Sequence, residues 1–507
     1  MLFLSGSGVV YISTVLMLLL QFMCTVLLSH RLGDQGIGAV SFVLRLVSVP
    51  VALVGLGLPT IVSRYVASRV EDDHSSVMAS SVVPPMFLSA VVIAAIWITA
   101  EPIAMQTGDL GLGPLIVLGS FIVPLGATSA IAMSFVRGRM QFKKYGGLLL
   151  VAPVTNLLVI VLMYDALTPL TAIAASLVAS AAAVVVSIAN TPKVAWGLPS
   201  RAITSQLLIS GIPLLLANLA GSLLDSTGTI VLGVLTNDMS IVGAYSNAFV
   251  VASLIRYLAE PLSVILLPIS AAAFASSATS ELRVVVSTAL KVITVVYVPF
   301  CLIVSVTSGE VLTILFPIEF VIGAPVLTIL SLFSPAIAIH FLFWRLLVAN
   351  GNTFAAGAVY VVASVLNIPL CVLMTHYLGI IGPALSTGTT FLTMAIGSAE
   401  LVRRKVGIRV DPSLSRIIGA IVFLVMTTLW HRAVIFLLGQ IEIRSDILVI
   451  CVVGAGALLA QAILKPISSS DRNFVMRMMD GFPGPVKRLM ELLMAPFTSR
   501  AGQRNRT

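Results

Sequence analysis

The chain carries fourteen long apolar runs, and its basic residues fall almost entirely into every second gap between them. The runs cover about 8–29, 37–63, 80–100, 114–136, 146–164, 167–190, 207–235, 242–274, 285–306, 325–348, 355–376, 379–401, 415–438 and 446–464. A helix needs roughly 20 apolar residues to cross a hydrocarbon core, and loops on the cytoplasmic side collect Lys and Arg. With the N-terminus inside, 24 of the 29 basic residues lie in inner gaps or the tail. They include Arg64, Arg69, Arg137, Arg139, Lys143, Lys144, Lys193, Arg201, Arg283, Lys291, Arg345 and the group from Arg403 to Arg416. Only Arg31, Arg432 and Arg444 lie outside, and Arg45 and Arg256 fall within runs. A span miscounted early would scramble this division. The sequence therefore predicts an all-α polytopic protein of the cell membrane, with fourteen transmembrane helices and both termini cytoplasmic.

Composition agrees, with 58% hydrophobic residues, 10% charged residues and a mean hydropathy of +1.10. Soluble domains do not have such values. The net charge of +9 is then a topology signal, helped by attraction to anionic headgroups, and not a nucleic-acid footprint. The first run lacks a basic n-region and a small-residue cleavage site, so it reads as a retained helix. Cys24, Cys301, Cys371 and Cys451 all fall within runs and read as small packing residues. The gaps are too short for a folded soluble domain, the longest outer one being about 101–113. Glu71-Asp72-Asp73-His74 is the one acidic cluster and reads as a solvated turn rather than a cation site. There is no P-loop, no HExxH and no paired-cysteine motif. No enzymatic activity and no cofactor are expected.

The chain also repeats itself. Gly38-Ala39-Val40-Ser41 in the second run matches Gly243-Ala244-Tyr245-Ser246 in the eighth, at an offset of 205. Asn156, Val161-Leu162-Met163 and Leu167 match Asn367, Val372-Leu373-Met374 and Leu378, at an offset of 211. Both offsets equal six spans. An even number keeps the orientation of the two halves, so this is a parallel repeat about an axis along the membrane normal, and such transporters hold substrate between their halves. The expected organisation is an N-lobe of spans 1–6 (1–190), a C-lobe of spans 7–12 (207–401), two further spans (414–464) and a basic tail (465–507).

Several stretches resemble a known family. Leu32-Gly33-Asp34-Gln35-Gly36-Ile37-Gly38, Gly55-Leu56-Gly57-Leu58-Pro59 and Arg64-Tyr65-Val66-Ala67 are similar to the opening of Wzx-like polysaccharide-biosynthesis flippases. These form the oligosaccharide-lipid branch of the multidrug/oligosaccharidyl-lipid/polysaccharide (MOP) exporter superfamily. Gly211-Ile212-Pro213-Leu214, Asp225, Gly243 to Ala248, Leu315-Phe316, Ala324 to Leu327, Ala349-Asn350-Gly351 and Leu378 to Leu385 continue the resemblance to about residue 400. It implies two facing six-helix bundles and export of a lipid-linked sugar. The substrate expected from it is an oligosaccharide on a polyprenyl or dolichyl phosphate or pyrophosphate. Membrane lipids and membrane glycosyltransferases are the other expected partners; nucleic acid is not.

Four charges within the runs make the candidate site: Arg45 in span 2, Asp225 in span 7, and Arg256 and Glu260 in span 8. An ionisable group at the centre of a spanning helix costs roughly 2.5–3.5 kcal/mol on insertion scales, so it tends to face a cavity or a partner. An arginine on each of the repeat-related spans 2 and 8 suggests a cationic cavity, and arginine grips phosphate bidentately while staying charged. Arg256 and Glu260 also have the i,i+4 spacing of a self-neutralising pair. Asp225 reads as a counter-ion, a coupling carboxylate or a packing acid. Asn156, Asn218, Asn247 and Asn367 read as interhelical hydrogen-bond partners, and Arg64 and Arg345, near inner span ends, as snorkelling side chains. Prolines such as Pro59, Pro153, Pro213, Pro335 and Pro369 predict kinks. The tail, with Val486 to Met494 alternating basic and apolar residues, reads as an amphipathic helix on the inner leaflet. Two other functions compete. A cation-coupled drug or metabolite antiporter of the same superfamily commonly needs an acid buried in the N-lobe, and spans 1–6 hold none. A non-transporting scaffold for glycan enzymes has no need of intramembrane charges.

Overall fold

The computed structural model describes residues 2–68, 76–260, 279–408 and 446–464, with isolated positions between 266 and 274 and between 427 and 435. Arg69, the acidic cluster 71–74, most of the run 415–438 and the tail 465–507 lie outside the described residues. Among the described residues all regular structure is helical. Among the described residues, ten helices are long and apolar enough to cross a membrane.

The first helix, α1 (Leu2–Val54), has 53 residues, about 80 Å at 1.5 Å per residue, against roughly 30 Å for a hydrocarbon core. It is interrupted at Gly33, where φ is 66° and ψ is −173°. Its first half runs along α6 (Phe142–Leu162): Gly146 lies against Ser13, and Arg31 donates to the Tyr164 and Asp165 carbonyls at 3.1 and 2.6 Å. Its second half runs along α7 (Pro169–Ala189), with Gly36 near Pro169, and with Val43 and Ile173 meeting over Gly119. Since α7 returns from α6 after a short loop, α1 doubles back at Gly33 and accounts for two apolar runs.

The expected run 37–63 is not one helix. It breaks after Val54, and α2 (Leu58–Ser68) begins a new segment. Gly57 has φ +69°, and a Cβ there would strike the Gly211 carbonyl. Only glycine allows both that dihedral and that approach. Then come α3 (Val77–Gln106), α4 (Leu112–Ser120) and α5 (Ile122–Gly138). The helix α3 continues through Glu101 and Pro102, so the expected outer gap 101–113 shrinks to a turn. The remaining helices are α8 (Arg201–Thr236), α9 (Met239–Leu258) and α10 (Thr279–Val292). A π-helical turn, Ile293–Tyr297, joins α10 to α11 (Val298–Val306). After them come α12 (Ser308–Leu315), α13 (Ala324–Ala349), α14 (Thr353–Leu378), α15 (Ile381–Val406) and α16 (Asp446–Leu464).

By packing, the chain divides into two compact units. One comprises Val9–Asn247 with Tyr360–Ser386; the other comprises Met1–Gly8, Ala248–Val359 and Thr387–Thr507. In the first, Leu58 and Val62 of α2, Met78 of α3, Phe135 of α5 and Leu207 of α8 form one buried cluster. The second half of α1 runs antiparallel to α8, with Phe42 over Gly233, Ser48 bonded to Ser226 at 2.9 Å and Leu56 on Gly211. At the Gly33 end it crosses α9. A Cβ on Gly38 would strike the Met239 carbonyl, and one on Gly243 the Asp34 carbonyl. These two contacts exchange under the repeat offset of 205, the self-complementary pattern of a two-fold axis. In the second unit, Leu282, Val286, Leu342, Phe343, Leu346 and Val402 pack α10, α13 and α15 together.

Candidate functional site

Arg45 and Asp225 lie in the first unit. Both are half-buried, on helix segments tied by the Ser48–Ser226 bond. Ser48 also donates to the Arg45 carbonyl at 2.8 Å. Of the asparagines, Asn247 is fully buried and donates to Ser29 at 2.9 Å, joining α9 to α1 as expected. Asn367 is buried, whereas Asn218 is exposed.

Arg256 and Glu260 lie in the second unit. Arg256 sits in the last turn of α9, and the chain leaves the helix directly after it: the Ala259 amide bonds the Arg256 carbonyl, three residues back, at 3.3 Å. Residue 261 is proline, which has no N–H to continue the ladder. The guanidinium stands 5.4 Å from the Tyr257 ring centroid and 6.0 Å from that of Phe391, within cation–π range. It borders a small, half-open hollow walled by Phe249, Ala252, Ser253, Leu330, Ser334 and Phe391. An aromatic and hydroxyl lining around one arginine suits a single anionic group with apolar neighbours.

Glu260 meets Arg345 of α13, whose guanidinium approaches its carboxylate to 3.8 Å and lies 4.9 Å from the Trp344 ring. The reading of Arg345 as a snorkelling side chain is therefore corrected. Its side chain is 23% exposed and its Nε is buried, because an acid and an indole on its own level hold it. Arg64 is exposed. Sequence reasoning missed Arg345, Tyr297, Ser334 and Phe391. Aromatic and hydroxyl residues in an apolar run look like lipid-facing or packing groups, and only the Trp344-Arg345 doublet carried a signal.

A second polar contact lies between spans. Glu310 of α12 accepts from the His431 Nε2 at 2.8 Å, each side chain being 14% exposed, and Thr313 donates to Asp446 at 2.7 Å. Burial pushes the Glu310 carboxyl upward, but the His431 hydrogen bond, a backbone bond and the His431 charge together hold it below the usual carboxylate value. Among the described residues no three His, Cys, Asp or Glu side chains gather as a metal site.

An all-helical membrane chain with ionisable side chains seated in its spans has the build of a transporter. It belongs to the polysaccharide biosynthesis protein family, which matches residues 3–274. No curated protein matches it in sequence. Among solved structures it is similar to the lipid II flippase MurJ in an inward closed conformation. The TM-score is 0.71 at 14% identity, covering 90% of this chain and 98% of that one. A multidrug resistance MATE family transporter of the MOP superfamily, inward-facing, gives 0.64 at 15% identity over 79% of this chain and 98% of that one. The MATE multidrug transporter DinF-BH in complex with R6G gives 0.59 at 16% identity over 79% and 95%. The chain thus has the MOP fold.

Proposed function

We propose that the protein flips a lipid-linked oligosaccharide, carried on a polyprenyl or dolichyl phosphate or pyrophosphate, from the cytoplasmic to the outer leaflet. The product would feed cell-surface polysaccharide or glycoprotein synthesis. In this reading the chain crosses the membrane fourteen times with both termini inside. It has an N-lobe over 1–190, a C-lobe over 207–401, two added spans over 414–464 and a basic tail on the inner leaflet. Alternating access comes from the lobes rocking about the two-fold axis to which the Gly38–Gly243 crossing points. Arg45 and Arg256 bind the anionic headgroup, with Asp225 and Glu260 as their acidic complement. The observation that carries the proposal is the setting of Arg256: a cation held between two aromatic rings, at a helix break, beside a hollow.

The second reading is a cation-coupled antiporter, favoured by the fold shared with MATE transporters. There Asp225 is the coupling carboxylate. Reconstituted protein tests both. Arg45→Ala and Arg256→Ala should each abolish flipping of a fluorescent polyprenyl-pyrophosphate sugar at normal membrane level, while Arg→Lys retains part of it, keeping charge but losing the fork. Normal flipping by the Arg256→Leu, Glu260→Leu double variant would remove Arg256 from the site. Cation-driven dye efflux lost in Asp225→Asn, with both arginine variants active, would establish the second reading instead.

A further inference from the structure

We propose that Tyr297 is a positioning residue for Arg256, acting through the backbone of α9. The proposal rests on the reading of Arg256 as a headgroup ligand. The last four carbonyls of a helix lack partners within it, and in α9 these belong to Ile255, Arg256, Tyr257 and Leu258. The carbonyl of Ile255, adjacent to Arg256, accepts a hydrogen bond from the Tyr297 hydroxyl at 3.0 Å. The phenol is buried, 6% exposed, and comes from a different span. Cys301, Ser334 and Arg256 lie within interaction range of it, so the hydroxyl is close to two residues, Arg256 and Ser334, that line the hollow.

The local backbone explains the reach. Tyr297 closes the π-helical turn Ile293–Tyr297. One extra residue in a turn rotates the next helical segment by about 100° relative to a continuous α-helix, and π turns recur at functional sites because they re-aim a side chain. Without the bulge the phenol would point elsewhere. With it, the arginine is held twice: Tyr297 fixes the peptide that carries it, and the Tyr257 and Phe391 rings flank its guanidinium. A guanidinium so held loses less freedom on gripping a phosphate.

The test uses the full-length protein in lipid nanodiscs. Tyr297→Phe keeps the ring and removes the donor. Two quantities are read: the rate of phenylglyoxal modification at Arg256, by peptide mass spectrometry, and the Kd for a polyprenyl pyrophosphate. Tyr297→Phe should raise both by about tenfold, the equivalent of one buried hydrogen bond, and should leave Kd unchanged in an Arg256→Ala background. Tyr297→Leu removes the same donor without a ring and serves if the phenylalanine variant does not accumulate. An unchanged modification rate in either variant overturns the proposal, as does an equal loss of binding with and without Arg256. A faster modification of Arg256 with no effect of Arg256→Ala on Kd leaves Tyr297 as its positioner and refutes the headgroup reading alone.

Discussion

Spans 2 and 8 open on the same Gly-Ala-x-Ser, cross at Gly38 and Gly243, and break at matching places by different means. In span 2 the break is Gly55-Leu56-Gly57. An offset of 205 carries it to positions 260–262, where α9 has just ended before Pro261. The first break is pressed against the backbone of α8 at Gly211. Beside the second lie a hollow and one hydrogen bond from a side chain of another span. A glycine contact between backbones has no slack, whereas a helix end capped by a side chain can adjust. The arginines do not obey the repeat either. Arg45 corresponds to Val250 and Arg256 to Val51, a stagger of six residues, or about 9 Å of helix. The repeat preserves the helices, while the two arginines fall at positions that are not equivalent within it.

The tight end of this comparison predicts the largest effect. Gly38→Val and Gly243→Val each force a side chain into a backbone carbonyl that cannot rotate away. Overpacking typically costs about 1–3 kcal/mol, and a rigid obstacle puts these at the top of that range or beyond. The melting temperature in detergent should fall by several degrees for each. Ser253→Val at the edge of the hollow should leave it within about a degree. If Gly38→Val melts with the wild type, the crossing is looser than the glycine contacts require and the contrast between the two breaks fails.

Most spans were legible because hydropathy over twenty residues survives any detail of packing. The break at 55–57 was not, since Gly-Leu-Gly is as apolar as the helix around it and only the contact with Gly211 demands a turn. Arg45, Asp225, Arg256 and Glu260 stood out because charge within an apolar run is costly wherever it points. Arg345 did not, because a cation near the end of a run has a cheap alternative in the headgroups, and its partner Glu260 belongs to another span. Tyr297 was hidden for a further reason: its role depends on a one-residue bulge, which leaves no trace in composition or period.

The Glu260–Arg345 pair gives a smaller effect at the adjustable break. The approach is 3.8 Å and the side chains are 32% and 23% exposed, so solvent screens much of the attraction. A double-mutant cycle of Glu260→Gln and Arg345→Gln, read by denaturation, should show a coupling of about 0.5 kcal/mol. Strict additivity would dissolve the pair. A coupling of several kcal/mol would mean a desolvated pair and a break as rigid as that of span 2.

The smallest effect lies at Glu310, in the gap between two runs, where it meets His431 of the thirteenth run. A carboxyl held below its ordinary value contributes stability above that value and loses it as pH falls through its folded value, here below 4.5. The wild-type melting temperature should lose this contribution only in that acid range. In His431→Leu the groups that hold Glu310 down are reduced while its burial remains, so its carboxyl rises above the ordinary range and the sign reverses. Lowering the pH from 7 towards 5 should then recover part of the stability the variant lost, on the order of 1 kcal/mol, by protonating a buried and poorly partnered carboxylate. Glu310→Gln in the same background should abolish that recovery. A melting curve for His431→Leu that parallels the wild type from pH 7 to 4 would show that the contact between α12 and His431 carries no charge-dependent stability.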